Sequence, residues 1–515
     1  MKNLGPYLII GALALLFCGL SLLILSHGHL HEDAYILLQY VKNIAQGKGI
    51  VFDHVSGPAE GATDFLWMVL LAGCVRLGVD PAISSTLFNA IGLVAIAFVL
   101  YRIRGRFDVV TAVAMVMVAI SGGTIASLLG FSTLIFGGIF SLVILSALQG
   151  RSRAMAWLGL LLALVRPEGV ILSGGTILAQ LLTVSSEERR RVVRALIPPC
   201  IVGVGYFLWR VSYFELVLPL PLLVKSQTTS FLEGLRFNRL AMGSYTPLLL
   251  PLIIAPIFAP KQTLQKRELL VLTLGPVALL FSLTFVHQSQ NVGFRFQFPA
   301  VLSLVWLFVL CARGALQKPL AAIAIACLPI VWGTRLLLDA DQFQTNHVYI
   351  NSFPQLLRAS GFKADRIAMT EAGRFPYWYD ASMMIDLIGL NSPETLVDGP
   401  KMALERGDPE LLFIHHAGTF RAPVAGIGDD FVIVDPQEIL SQQASGPTTR
   451  EQSAPIAALE FAKNRGYRAA FVRYGATDTE LSHVYFISPT LNFELFLETL
   501  RRSMREKMSY FASRR

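Results

Sequence analysis

Apolar residues recur along this chain in long runs, at 7–25, 64–78, 83–101, 107–122, 132–148, 154–166, 169–184, 195–211, 246–260, 268–286, 297–313 and 319–338. Between them lie short basic connections: Arg102/Arg104/Arg106, Arg151/Arg153, Arg189/Arg190/Arg191/Arg194, Lys261/Lys266/Arg267 and Arg313/Lys318. Runs near the length of a bilayer-crossing helix, separated by such clusters, predict a polytopic all-α membrane domain with the clusters in the cytoplasm. Crossings then alternate everywhere except between Asp64 and Arg102, where two runs stand and an odd number of crossings is required. The run 64–78 is short and ends at Gly78-Val79-Asp80-Pro81. It is read as re-entrant or interfacial, which leaves about eleven spans. The first run follows Lys2 and precedes SHGHLHED, with no small-x-small cleavage site, so it is read as an uncleaved span.

The pattern changes after residue 339. Short β-rich runs appear, RIAMTEAG, MMIDLIGL, LLFIHH, FVIVD, AAFVRYG and HVYFISP, alternating with helix-like stretches at 453–465 and 491–511. The expected organisation is a membrane domain over 1–339 followed by a soluble α/β or α+β domain over 340–515 on the outer side. The basic, amphipathic tail LRRSMREKMSYFASRR is read as a solvated final helix.

Composition sharpens this picture in a few places. The chain is 54% hydrophobic and only 15% charged, as expected of a membrane protein. Its net charge of +8 is concentrated in the short connections, which the positive-inside rule explains without invoking nucleic acid. All five cysteines lie in apolar segments, so neither a disulfide framework nor a zinc site is implied. No P-loop or GxGxxG fingerprint supports an ATP-driven pump. Paired, interrupted half-helices of the transporter kind are also absent from the sequence.

With the basic clusters inside, the unusual polar residues fall on the outer face: the loop 27–64, the turn Arg166-Pro167-Glu168-Gly169, the loop 212–245 and the stretch His287–Phe296. In the first of these, Glu32 and Asp33 begin a helical pattern of Ala34, Leu37, Leu38, Val41, Ile44 and Ala45 that Gly47 stops. Two readings stand. The acids suit the helix dipole of a helix lying on the membrane, or one of them is a general base that takes a proton from an attacking hydroxyl. Arg166, Lys225 and Arg295 are candidate partners for an anionic leaving group. Arg166 and Glu168 also suit a paired structural turn, and Arg295 suits snorkelling to the interface. His27, His29 and His31 alternate beside the acids and could bind a metal; such a spacing shares a face on a strand but not on a helix. No cofactor is predicted, and a divalent metal stays open.

Several of these stretches resemble one family. Glu32-Asp33-Ala34-Tyr35, GKGIVFD and Glu60-Gly61-Ala62-Thr63-Asp64-Phe65-Leu66-Trp67 are similar to the signature DDAYI…GxGlVfN…EGyTsfLW. That signature belongs to bacterial GT-C glycosyltransferases related to the mycobacterial terminal β-(1→2)-arabinofuranosyltransferase. LLALVRPEGV resembles lLaltRPEG, LWRVSYFELVLPLPLLVKS resembles fR…YYGellPNtyyaK, and TEAGRFPYWYDASMMIDLIGLNSPE resembles DaGaipYysd…iDliGLnd. The motifs keep their order along most of the chain. Departures are Glu32 for the first Asp, Ser132 for the acid of G-x-E-T, Phe214-Glu215 for Tyr-Gly, and Leu220 for the Asn after Pro.

The resemblance implies a GT-C fold in the bacterial cytoplasmic membrane, with the site and the C-terminal domain on the periplasmic side. It implies transfer of a sugar, arabinofuranose or another pentose, from a polyprenyl-phosphate donor to a glycan, lipid-glycan or protein. Asp33 then carries catalysis with Glu32 as its partner. Tyr35, Glu60, Arg166, Glu168, Lys225 and Arg295 bind substrate. The alternative is a non-catalytic envelope- or motility-associated protein that keeps the fold and binds a glycan or a partner complex.

Overall fold

The computed structural model describes residues 5–27, 30–105, 108–119, 121–226, 230–244, 264–288, 290–311, 348–415, 419–421, 431–441, 450–473 and 482–512. The expected spans 246–260 and 319–338, together with His29 and His416, lie outside these residues. The described helices before residue 245 are α1 (Gly5–His27), α2 (Glu32–Ala45), α3 (Phe65–Arg76), α4 (Pro81–Arg104), α5 (Val109–Ala119) and α6 (Gly122–Leu128). They continue with α7 (Thr133–Leu148), α8 (Ser152–Val165), α9 (Gly169–Thr183), α10 (Ser186–Phe214), α11 (Leu220–Ser226) and α12 (Phe231–Ser244). The expected loop 212–245 is therefore largely helical.

The chain divides into two compact units. One comprises Met1–His27, Thr63–Glu215 and Thr228–Asp341; the other comprises Gly28–Ala62, Leu216–Gln227 and Gln342–Arg515.

The first unit is helical. Among the described residues, Pro81–Arg104, Ser186–Phe214 and Lys266–Phe285 are long and apolar enough to cross a membrane, by length and composition. Helices α5 and α6 make a fourth such segment if the pair, bent by 48°, counts as one. The break is stabilised by hydroxyls: Ser121 Oγ and Thr124 Oγ1 each donate to the Val118 carbonyl at 2.7 Å, satisfying an acceptor that the interrupted helix leaves over. Helix α3 has 12 residues, about 18 Å of rise, well short of a bilayer core.

The unit is knitted by close helix contacts. A Cβ on Gly92 of α4 would stand 2.2 Å from the Leu134 carbonyl oxygen, and one on Gly138 of α7 would stand 2.7 Å from the Gly92 oxygen. Only glycine permits that approach. Asn89 reinforces it, donating to the Phe131 carbonyl at 2.9 Å and accepting the Ile135 N–H at 3.3 Å. Leu93, Val143, Leu162, Leu172, Val271 and Trp306 belong to one continuous apolar core.

The second unit is built on a six-stranded mixed sheet in the order β2-β1-β3-β8-β7-β5. Its strands are β1 (Arg366–Met369), β2 (Met383–Asp386), β3 (Leu411–His415), β5 (Phe431–Val434), β7 (Arg468–Arg473) and β8 (Ser482–Ile487). The short strands β4 (Phe420–Arg421) and β6 (Leu440–Ser441) pair separately. Strand β1 runs parallel to β2 and β3, whereas β8 is antiparallel to β3 and β7. Each of the six β-rich runs in the sequence contains one strand of the large sheet. One face packs Phe375, Phe413 and Tyr485 against Phe353 and Phe496 of the flanking helices Val348–Ala359 and Phe493–Ala512, with Phe413–Tyr485 centroids 5.2 Å apart.

Side chains bonding to backbone order the segment 30–62, and Asp53 ties it to this sheet. Gln39 and Asn43 of α2 donate to the Phe52 carbonyl at 3.1 Å each. Asp53 Oδ1 accepts the Val55 and Ser56 N–H groups, while its Oδ2 accepts the Met384 N–H at 2.8 Å. Beyond β2, Asp386 holds the turn IDLIGLN by accepting from the N–H groups of Ile388 and Asn391, and from Asn391 Nδ2 at 2.8 Å. Asn391 Oδ1 in turn accepts from Tyr40 of α2 at 3.1 Å.

Candidate functional site

The expected helix after HGHLHED is present as α2, opening with Glu32 and Asp33. His31 is its N-cap: Nδ1 accepts the Asp33 N–H at 3.1 Å. A neutral imidazole can accept in this way, so the third histidine of the alternating set is a capping group. Asp33 stands half-buried in the first turn, where a carboxylate is favoured by the helix dipole.

Glu32 has a defined seat. Its Oε1 accepts the N–H groups of Gly373 at 2.7 Å and Arg374 at 2.9 Å, immediately after β1. A Cβ on Gly373 would fall 2.5 Å from that same oxygen, so the seat needs glycine. The Arg374 side chain is fully buried. It donates through Nη2 to the Leu30 carbonyl at 2.7 Å, and its Nε lies 3.8 Å from Glu32 Oε2. Burial and the nearby Glu371 carboxylate push Glu32 up to about 8, against the pull of Arg374 and the two backbone donors. Both influences favour the protonated form of this carboxyl, relative to an ordinary glutamate.

Glu371 leads to a second polar set at the ends of β3 and β8. His483 Nε2 lies 3.1 Å from Glu371 Oε2, His415 Nδ1 lies 3.6 Å from Oε1, and His483 Nδ1 bonds the Tyr349 hydroxyl. Burial holds His483 below the usual histidine range, although Glu371 pulls the other way. Among the described residues, no group of three or more His, Cys, Asp or Glu is placed to hold a metal ion.

Tyr35 is buried in an aromatic cluster with Tyr377 at 5.1 Å and Trp378 at 5.8 Å between centroids. Lys42, further along α2, lies 5.0 Å from the centroid of the Tyr377 ring and pairs with Asp380 at 2.7 Å. Burial works to raise Asp380, but the Lys42 hydrogen bond and charge outweigh it and leave the carboxyl below its usual value. Glu60 is buried, and Lys225 is half-buried in α11. The second unit thus contains Glu32, Asp33, Tyr35, Glu60 and Lys225 of the expected residues.

The first unit contains Arg166, Glu168 and Arg295. Arg166 leaves α8 in an extended conformation and pairs with Glu168 at 2.9 Å, so the paired turn forms. Arg166 and Arg295 are both buried, and their guanidinium carbons lie 5.3 and 4.8 Å from the centroid of one ring, Phe296. Arg295 also covers Phe131 at 3.9 Å and donates to the Gln290 carbonyl at 2.7 Å, which is a closer engagement than snorkelling. A net of amides pins this segment: Gln297 Nε2 donates to Asn238 Oδ1 at 2.9 Å, and Asn291 Nδ2 to Gln297 Oε1 at 2.7 Å.

Arg374, Glu371 and Asp64 are not among the residues expected from the sequence. The first two lie in the quoted stretch TEAGRFPYWY, where an arginine among aromatics was the available signal. Asp64 stands in EGATDFLW, where the resembling signature has serine. Its Oδ2 accepts from the Ser132 hydroxyl at 2.5 Å.

No protein-family model and no curated protein sequence matches this chain. Solved structures similar to it include ArnT and AftD. ArnT from Cupriavidus metallidurans, crystallised with undecaprenyl phosphate, aligns with a TM-score of 0.54 and 13% identity, over 80% of this chain and 94% of that one. The arabinofuranosyltransferase AftD from mycobacteria, a mutant form, aligns with a TM-score of 0.47 and 15% identity, over 92% of this chain and 41% of that one. The similarity to ArnT shows that the chain has the GT-C fold.

Proposed function

We propose that this protein is a membrane glycosyltransferase that takes a sugar from a polyprenyl-phosphate donor. The observation that carries the reading is the fold shared with nearly the whole of ArnT, a protein seen with undecaprenyl phosphate bound. The acid-headed helix α2 and the buried, ring-stacked arginines supply chemistry suited to that reaction. The acceptor is an extracytoplasmic glycan, lipid-glycan or protein, and the sugar is a pentofuranose of the arabinose type. The protein resides in the bacterial inner membrane with its reacting side outward.

In the reaction, an acceptor hydroxyl oxygen attacks the anomeric carbon while the bond from that carbon to the phosphate oxygen breaks. Asp33 accepts the hydroxyl proton, and polyprenyl phosphate leaves as an anion. Glu32 is the partner that holds the first turn of α2 through Gly373 and Arg374. Arg166 and Arg295 recognise the phosphate, where guanidinium donors oppose the developing charge. Glu168 orients Arg166. Tyr35, Glu60 and Lys225 contact the sugar and the acceptor.

The test in cells is Asp33→Asn, with the envelope glycans read by mass spectrometry. The expected result is a glycan shortened by one sugar. A glycan population identical to that of the unaltered strain would favour a non-catalytic protein that uses the fold for binding.

A further inference from the structure

Strands β3 and β8 run antiparallel in a register that sets His415 directly opposite His483. Residues opposed in this way share a face of the sheet, and the two rings stand 5.6 Å apart between centroids. The Glu371 carboxylate bridges them, with Oε2 3.1 Å from His483 Nε2 and Oε1 3.6 Å from His415 Nδ1. His483 is wholly buried, and burial favours its neutral ring. One neutral tautomer meets both of its partners: Nε2–H donates to Glu371, and Nδ1 accepts from the Tyr349 hydroxyl. Thr370 holds the same run to β3. It donates its N–H to the Phe413 carbonyl at 3.2 Å and accepts the His415 N–H through Oγ1 at 2.8 Å.

Two residues beyond Glu371, the chain grips the start of α2. The Gly373 and Arg374 N–H groups hold Glu32 Oε1, and the Arg374 guanidinium reaches the Leu30 carbonyl through Nε at 3.3 Å and Nη2 at 2.7 Å. A Cβ on Gly373 would stand 2.1 Å from the Glu32 carbonyl oxygen, so this turn lies directly against the helix start. Residues 370–374 are thus bonded to β3 and β8 on one side and to Leu30 and Glu32 on the other. Asp33 is the next residue of α2.

We propose that Glu371 is a positioning residue for the transfer reaction: anchored by the His415–His483 pair, it fixes the turn that seats Leu30 and Glu32, and so sets Asp33 for the acceptor hydroxyl. Each link is a bond between named atoms or a step of one or two residues along the chain. Glutamate suits the place because its two oxygens meet one ring each. This assignment rests on the transfer reading.

The experiment uses the full-length protein in nanodiscs and compares Glu371→Ala, Glu32→Ala and the double variant, with a thermal melt to establish folding. His483→Phe, which keeps a ring against Phe413 but loses both nitrogens, is read beside Glu371→Ala and stands in for it if that variant does not fold. Amide hydrogen exchange is followed by mass spectrometry, and kcat and donor KM are measured with a polyprenyl-phosphate arabinofuranose. Glu371→Ala is expected to speed exchange by about tenfold in peptides covering 30–36 and 370–376, with β5 and β7 unaltered. Transfer is expected to lose about tenfold to a hundredfold in kcat, while donor KM stays within about threefold. Because Glu371 acts through the seat of Glu32, the double variant is expected to be no slower than Glu32→Ala alone. Unaltered exchange at 30–36, an unaltered kcat, or losses that multiply in the double variant overturn the assignment and leave the transfer reading standing. An unaltered protein that transfers no sugar overturns both.

Discussion

Glu32 and Asp33 are neighbours in sequence with different surroundings. Glu32 is held by two backbone N–H groups and faces Glu371 and Arg374, and its carboxyl is pushed up to about 8. This has a consequence for stability. In the unfolded chain Glu32 loses its proton near its ordinary value of 4.5, whereas in the folded protein it keeps it to about 8. The folded state binds more protons across that window, so the contribution of Glu32 to stability is full below pH 4.5 and is lost as pH rises toward 8. Glu32→Gln keeps an acceptor for Gly373 and Arg374 without the titration. The expected result is a melting temperature close to that of the unaltered protein at pH 4 and clearly higher at pH 8.5, a difference on the order of a few kcal/mol. A difference independent of pH would contradict this account. The helix start at Glu32 was legible from apolar spacing and the stop at Gly47. The seat was not, because its donors are backbone groups 341 and 342 residues further on.

At the scale of elements, the stretches that carry the family resemblance include fastenings of the fold. In IDLIGLNSPE, Asp386 is wholly buried and closes its turn onto Asn391, which receives Tyr40 from α2. Asp386→Ala leaves the Ile388 and Asn391 N–H groups without their acceptor. It is expected to destabilise the protein by about 1–3 kcal/mol, read as a lower melting temperature with the purified protein still capable of transfer below it. In the first unit the α4–α7 contact depends on glycine. Gly138→Val is expected to force the helices apart at Gly92, with a loss of about 1–3 kcal/mol measured by thermal melting in detergent. The six strands were legible because each is a short β-rich run bounded by turn residues. Their order was not: β8, last in sequence, lies between β3 and β7, and nothing local to a strand specifies a partner that far away.

At the scale of the molecule, composition marks a change of character near residue 340, and the described strands all lie after it. That unit also draws in residues 28–62 and 216–227, both of which lie between apolar helices in the sequence. A reading that proceeds along the chain assigns such segments to the helices beside them. The Asp53 bond to the Met384 N–H and the Glu32 bonds to the Gly373 and Arg374 N–H groups tie the segment 30–62 to the sheet, while Gln39 and Asn43 bond within it. The acid pair thus heads a helix whose first residue, Glu32, bonds to the backbone that follows β1.

The most direct test of the central claim is transfer by the purified full-length protein reconstituted in lipid vesicles, with a radiolabelled polyprenyl-phosphate pentose and an extracytoplasmic glycan acceptor. The unaltered protein is predicted to move label to the acceptor and release polyprenyl phosphate in equal amount. Asp33→Asn, folded by its melting curve, is predicted to slow this by about a hundredfold to ten-thousandfold. Equal rates for the two proteins would contradict the account.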